Sequence, residues 1–234
     1  MEMRKVLILG GTSAIGEQVA RRLAAAGAAL YLTGRDADRL ERSAADLRVR
    51  GATQVETERL DVAETPRLTH VVGRALDALD GLDTVLFAAG LLRETLEINA
   101  ISAMLVLNEA AVVFAHQGHG QLVAIGSVAG DRGRAANSVY GAAKGALEIF
   151  MSGLRQRLQR HGVRVLLVKP GFVDTPMTSD LAKGPLWASP DRVAHDIIQA
   201  MDRGRSVIYT PWFWRWIMLI IRHIPEGIFK RLSF

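Results

Sequence analysis

Short apolar runs recur along the chain, each bounded by glycine or charged residues: Val6–Leu9, Ala29–Thr33, Val55–Leu60, Thr84–Ala88, Leu122–Ile125 and Val163–Val168. They are short for helices and nearly continuous in apolar character, as strands buried on both faces are. Between them, Glu17–Ala26, Asp36–Arg50, Pro66–Ala78, Ala100–Ala115 and Tyr140–Arg160 carry apolar residues at three- and four-residue spacing and read as helices. Alternation of this kind predicts an α/β chain with a doubly wound parallel sheet flanked by helices. No internal repeat, low-complexity tract or linker interrupts the pattern. Residues 1–206 are expected to form this domain, and 207–234 an amphipathic or apolar extension that completes it or contacts lipid.

With 234 residues the chain can bury one large core. It lacks cysteine, which excludes disulfides and thiolate metal sites and fits a cytoplasmic setting. A net charge of +5 and a pI near 10 favour anionic partners: a phosphorylated substrate, acidic lipid or nucleic acid. Nucleic acid is the weakest of these, because the basic residues are scattered and no nucleic-acid-reading motif accompanies them. The first apolar run leads straight into a glycine turn, so no signal peptide is expected. No continuous apolar run has the length of a bilayer span. His116 and His119 form an HxxH pair without a carboxylate in the local pattern. At a helix end before Gly120 they suit the helix dipole, and no metal is expected.

Composition leaves the chemistry open; two local patterns narrow it. The first strand ends in LGGTSAIG, where Gly10 permits a tight turn and Gly16 lets the following helix pack closely on the sheet. Ala14 stands at the middle glycine position, small enough for backbone to approach a phosphate. The helix N-terminus is thereby aimed at a pyrophosphate. At the end of the second strand, in LTGRD, Arg35 is placed to pair with the 2′-phosphate of NADP, while Asp36 beside it is the acidic alternative. NADPH is the expected cofactor. Asp61–Val62 follows the third strand, and Ala88, Ala89 and Gly90 end the fourth, where backbone must pass close to the nucleotide.

The second pattern is GSVAGDRGRAANSVYGAAK, containing Ser127, Tyr140 and Lys144. Tyr140 and Lys144 are one helical turn apart and share a face. An ammonium beside a phenol favours phenolate and is expected to lower the tyrosine pKa toward working pH. Such a tyrosine can pass a proton to a carbonyl oxygen that Ser127 also holds.

These motifs resemble, over nearly the whole chain, those of the short-chain dehydrogenase/reductase superfamily. The resemblance implies a Rossmann-type fold and an active tetrad of Asn99 (in EINA), Ser127, Tyr140 and Lys144. It implies that Thr12, Ser13 and Ile15 complete the cofactor turn, and that Tyr140, Lys144, Pro170, Gly171, Val173 and Thr175 border the nicotinamide half. The superfamily's usual NAG is AAG here, and the segment between Gly90 and Asn99 is unusually short. Within the superfamily, GGTSAIG, AGDRGRAANSVYGAAK, RVLLVKPGFVDTPM and RHIPEGIFKRL look like the decaprenylphosphoryl-2-keto-ribose reductases. Those are the reductase halves of the arabinofuranosyl-donor epimerase pathway in actinobacterial cell walls. This implies a polyprenylphosphoryl 2-keto-pentofuranose substrate, arabinan-precursor synthesis, a partner flavin oxidase and a homo-oligomer. The alternatives are reduction of another lipid or acyl-chain ketone, and a non-catalytic membrane-tethered nucleotide-binding subunit.

Outside the motifs, Trp212–Arg222 is apolar except for Arg215 and Arg222, and all tryptophans but Trp187 lie there. Such a segment suits a helix lying in a membrane interface, on the inner face of the plasma membrane. A helix packed on its own domain and a subunit interface compete with that reading. Arg132 and Arg134, in the loop between Ser127 and Tyr140, are candidates for a substrate phosphate, or else a solvated basic loop. Pro176–Pro190, with Met177, Leu181, Leu186 and Trp187, resembles a mobile lid. The apolar spacing in Ala100–Val113 is expected to serve the core or a second subunit.

Overall fold

The computed structural model describes residues 4–90 and 96–232. Seven strands form one parallel sheet: β1 (Lys5–Leu9), β2 (Ala29–Gly34), β3 (Gln54–Arg59), β4 (Thr84–Phe87), β5 (Gly120–Ile125), β6 (Val163–Pro170) and β9 (Val207–Thr210). Their spatial order is β3-β2-β1-β4-β5-β6-β9, and β7 (Phe172–Val173) pairs separately with β8 (Trp187–Ala188). The helices are α1 (Ala14–Ala25), α2 (Ala37–Val49), α3 (Thr65–Leu68), α4 (Val71–Ala78), α5 (Ser102–Gln117), α6 (Ser138–Leu158), α7 (Pro190–Asp202), α8 (Trp214–His223) and α9 (Glu226–Phe229).

Successive side chains on a strand point to opposite faces, so a continuous apolar run feeds two cores. Leu7 and Leu9 join Val71, Val72, Phe114 and Leu147 on the face covered by α4, α5 and α6. Val6 and Ile8 join Val19, Leu23, Leu40 and Ile197 beneath α1, α2 and α7. The edge strands β3 and β9 depart from this pattern, β9 leaving Val207 exposed. At the other edge β3 buries Val55 while Glu56 and Arg59 face water.

The helix expected over Pro66–Ala78 divides into α3 and α4, because Thr69 is extended and His70 takes φ 81. Among the elements not foreseen are α7 and β9. α7 begins at Ser189, whose hydroxyl accepts from the Arg192 amide at 3.2 Å, with Pro190 at its first position. Its Val193, Ala194, Ile197, Ala200 and Met201 are buried. β9 pairs with β6 from Leu167↔Val207 to Pro170↔Thr210. A division at residue 206 thus falls just before a strand of the same sheet.

α5 starts from a π-helical turn, Glu97–Ile101, and ends at Gly118 with φ 76. Residues Glu97–Gln117 are long and apolar enough by composition to cross a bilayer, contrary to the sequence expectation, with a mean hydropathy of 1.8. In this fold Ala103, Val106, Leu107, Ala110, Ala111 and Phe114 are buried in the core. It is a core helix here.

Candidate active site

The strand order turns back between β1 and β4, which opens a crevice at their carboxyl ends. The glycine turn lines it. Gly10 has φ +82, and a Cβ added there would sit 2.7 Å from the Ala89 amide nitrogen. At Gly16 a Cβ would meet the Gly10 carbonyl at 2.4 Å and Ser13 Oγ at 2.7 Å. No side chain fits at either position, so the turn lies flat against Ala88 and Ala89. Ser13 caps α1, its hydroxyl accepting from the Gly16 amide at 3.1 Å. Thr12 Oγ1 lies beside Gly34, and Ile15 packs on the adjoining core. A glycine-lined turn ending at the N-terminus of a full-length helix fits a dinucleotide pyrophosphate.

Arg35 is exposed at the end of β2. Asp36 is the N-cap of α2, its Oδ1 accepting from the Arg39 amide at 3.0 Å. One oxygen of its carboxylate is thereby engaged in capping the helix. Arg39, which the sequence reading missed, donates from Nη2 to the Thr12 carbonyl at 3.0 Å, and Arg59 Nε donates to the Arg35 carbonyl at 3.2 Å. Guanidinium groups therefore border this corner of the crevice. The signal for Arg39 was its place three residues beyond the capping Asp, on the first turn of α2. Asp61 Oδ1 accepts from the Ala63 amide at 3.0 Å, and the buried Val62 carbonyl accepts from Ser102 Oγ at 2.6 Å.

The tetrad assembles where β4 and β5 end. Asn99, fully buried, sits in the π-helical turn that bends the chain into α5. A Cβ on Gly90 would lie 3.0 Å from Asn99 Oδ1 and 3.5 Å from Lys144 Nζ, so both side chains converge on the backbone that follows β4. Ser127 opens a tight turn, Val128–Gly130, and its Oγ accepts from the Ala129 amide at 3.1 Å. Lys144 donates to the Ile125 carbonyl at 3.0 Å, with its nitrogen 5.6 Å from the Tyr140 ring centroid.

Glycines set these spacings. A Cβ on Gly130 would lie 2.8 Å from the Gly145 amide nitrogen, and one on Gly141 would lie 2.8 Å from the Ala129 carbonyl. The turn carrying Ser127 therefore rests directly on the backbone of α6.

The electrostatics correct one expectation. Burial pushes the Tyr140 phenol above its ordinary value, and a hydrogen bond from Ser127 only partly offsets this. Burial also depresses Lys144, to about 8. Desolvation outweighs the hydrogen bond at this tyrosine.

The model of the short chain dehydrogenase family matches residues 4–185. The chain belongs to that family. An uncharacterized oxidoreductase of Mycobacterium tuberculosis is 36% identical over 97% of this chain and 96% of its own length. One of Streptomyces coelicolor is 35% identical over 98% of this chain and 96% of its own length. The solved structure of a short-chain dehydrogenase from Sphingobium yanoikuyae in complex with NADPH superposes with a TM-score of 0.82, at 26% identity, over 96% of this chain and 98% of that one. The protein is a short-chain NAD(P)-dependent oxidoreductase.

In this short-chain dehydrogenase the loop after Ser127 is tied to the C-terminal helices. Arg132 turns its guanidinium to those helices. Its Nη1 donates to the Ile221 carbonyl at 2.7 Å and the Ile224 carbonyl at 2.6 Å, its Nη2 bonds Glu226 at 2.9 Å, and its guanidinium lies 3.7 Å over the Phe229 ring. It satisfies carbonyls left open at the end of α8. Beside it, Asp131 pairs with the buried Lys169, which also bonds Glu148 at 2.7 Å, and Tyr209 donates to Asp131 at 2.8 Å. Burial alone would depress Lys169, but its bonds to Asp131 and Glu148 together hold it above its ordinary value. Val128 packs with Trp214 and Met218 of α8.

Of the remaining candidates, Arg134 is partly buried, with Nε unbonded, and burial lowers its pKa against the pull of Asp131. Pro170 ends β6. The Trp214 indole lies against the Gly171 backbone, where a Cβ would meet Nε1 at 1.9 Å. Val173 is buried, and Thr175 Oγ1 lies 3.4 Å from Thr178 Oγ1. Met177 is exposed, and Trp187 stacks on Phe172 with centroids 5.4 Å apart. The shortened stretch after Gly90 lies largely outside the described residues. His116 Nδ1 is 2.8 Å from the Val112 carbonyl, and His119 Nδ1 is 3.1 Å from Gln117.

Proposed function

We propose that this chain is an NADPH-dependent ketone reductase in which Tyr140 donates the proton. The observation that carries the reading is the convergence of Asn99 and Lys144 beside Gly90, with the Lys144 nitrogen 5.6 Å from the Tyr140 ring centroid, next to the glycine cradle. Bound NADPH supplies the hydride. Tyr140, held above its ordinary pKa by burial, is a protonated phenol at neutral pH and gives its proton to the carbonyl oxygen as the alcohol forms. Ser127 holds the same oxygen. Lys144, at about 8, can return a proton to the phenolate, and the buried Asn99 beside it links that lysine to a proton relay. The capping of α2 by Asp36, and the exposure of Arg35 with Arg39 nearby, favour NADPH over NADH.

The substrate we propose is a polyprenylphosphoryl 2-keto-pentofuranose. Three features support it: the resemblance of the catalytic block and tail to reductases of that class, Arg134 in the loop between Ser127 and Tyr140, and a cavity of about 450 Å³ between lid and tail. Trp187, Pro211, Trp212 and Phe213 give that cavity an aromatic and apolar side for a lipid chain, and Ser189 and Arg192 a polar one. The reading requires an oxidase, of flavin type, that makes the ketone, and places the enzyme in the cytoplasm. Exposed Ile101, Leu105 and Val112 on one side of the π-turn and α5, with Ile149 on α6, support pairing with a second copy. The test is NADPH oxidation with the lipid-phosphoryl 2-keto-pentose beside a Tyr140→Phe control. Turnover lost in the control supports the reading. Bound NADPH without turnover would move the search to other lipid or acyl-chain ketones.

A further inference from the structure

α8 is apolar on two sides. Its inner side, Trp214, Ile217, Met218 and Ile221, packs on Val128 and Tyr209. On the outer side Trp216, Leu219 and Ile220 are 54%, 48% and 69% exposed, with Trp212 at 65% on the approach. At 3.6 residues per turn these outer positions fall together, opposite the buried ones. Arg215 and Arg222 flank them, His223 continues the face, and Lys230 and Arg231 follow; all are exposed. The one carboxylate described on this segment, Glu226, is paired with Arg132.

We infer that this outer face seats the enzyme on an anionic membrane surface. Charge decides between occupants. A second copy docked by two-fold symmetry would set Arg215 and Arg222 against the same arginines, with no acid to answer them. An anionic bilayer answers them all, and tryptophan and arginine side by side on a short apolar helix suit its headgroup layer. Ten residues are too few to span, so the helix would lie in the plane. An aromatic series leads from this face: Trp212, Phe213, the buried Trp214, Phe172 and Trp187 contact one another in turn, as far as the β7–β8 pair. Seating this face on a bilayer would bring the lid–tail cavity close to the lipid.

Deleting the tail is an uninformative test, because it removes the cover of Val128. Outer-face substitutions leave that packing in place. Co-sedimentation of the full chain is measured with phosphatidylcholine vesicles, with and without phosphatidylglycerol as about a third of the lipid. Binding is expected only to the anionic vesicles and to weaken with salt. Trp216→Ser with Ile220→Ser should weaken partitioning by about tenfold or more. Arg215→Glu with Arg222→Glu should weaken it by at least about fivefold per residue. Circular dichroism and thermal melting verify the fold of each variant, and the two vesicle types decide the matter for the unaltered chain alone. The inference fails if that chain stays in the supernatant with anionic vesicles or binds neutral ones equally. It also fails if folded variants bind unchanged, or if they alter the sedimentation-velocity mass instead of vesicle binding. The assay uses no substrate, so its result is separate from that of the reductase assignment.

Discussion

Replacing Lys144 by Met should stabilise the protein at neutral pH while abolishing turnover. Lys144 is 4% exposed and its pKa falls from 10.5 to about 8, for which burial is the cause. At about 1.4 kcal/mol per pKa unit, the protonated lysine destabilises the fold by about 3 kcal/mol. Part of the gain on substitution is lost because the Ile125 carbonyl forfeits its donor, worth about 1 kcal/mol or more. A net stabilisation of about 1–2 kcal/mol is expected. The sign with pH follows from the depressed value. Below pH 8 the lysine is charged in both states and the full penalty applies. Between about 8 and 10.5 the unfolded chain binds more protons than the native one, so wild-type stability rises with pH. Urea unfolding of wild type and Lys144→Met at pH 7 and pH 10 reads this directly: the advantage of the variant should shrink at the higher pH. A variant less stable than wild type at pH 7, or a difference independent of pH, would refute burial as the origin of the shift.

Gly130→Ala drives a methyl group into the α6 backbone, 2.8 Å from the Gly145 amide nitrogen. It should cost about 1–3 kcal/mol on thermal melting and lower kcat more than it raises KM; unchanged kcat would show that the turn has slack. Arg132→Met leaves the Ile221 and Ile224 carbonyls without their donor, and a loss of about 2–4 kcal/mol is expected with KM for the phosphorylated ketone nearly constant. A raised KM with unaltered melting would return Arg132 to the substrate. Arg35→Ala should raise KM for NADPH by about tenfold or more and leave KM for NADH nearly unchanged. Asp36→Ala should cost about 1 kcal/mol as a lost N-cap and leave both values nearly as they were; weakened NADH binding alone would give Asp36 a ribose contact.

Five of the six strands read from the sequence are visible because each is an apolar run with a punctuating turn, and burial on both sheet faces makes such runs nearly continuous; β3, VETER with Leu60 after it, shows only the apolar ends of an edge strand. β9 escapes that reading: VIYT is short, follows an exposed basic turn, and becomes a strand through pairing with β6. The break at His70 is a backbone conformation with no apolar period to announce it. Tyr140 and Lys144 are legible because their spacing is local, and Gly130 and Gly141 lie in the same block with Gly145 just after it, though the contacts of Gly130 with Gly145 and of Gly141 with Ala129 do not show in the sequence. Arg132 is the opposite case. Its partners lie about ninety residues onward, so the sequence beside the catalytic block offers only a phosphate ligand or a solvated loop and does not show the tie to the tail. The direction of the Tyr140 shift was misjudged for a similar reason, since spacing reveals the nearby ammonium but not how far water is excluded from both groups.

The wall behind Ser127 is built by α8 and β9, elements that leave the ribosome after everything else in the sheet. A nascent chain stopped near residue 206 would hold the glycine turn, Asn99, Ser127, Tyr140 and Lys144, yet Val128 would face water and Asp131 would lack the Tyr209 hydroxyl. Such a fragment would have every reacting group without the surface that fixes the serine turn, so competence arrives late in synthesis, well after the nucleotide cradle is complete.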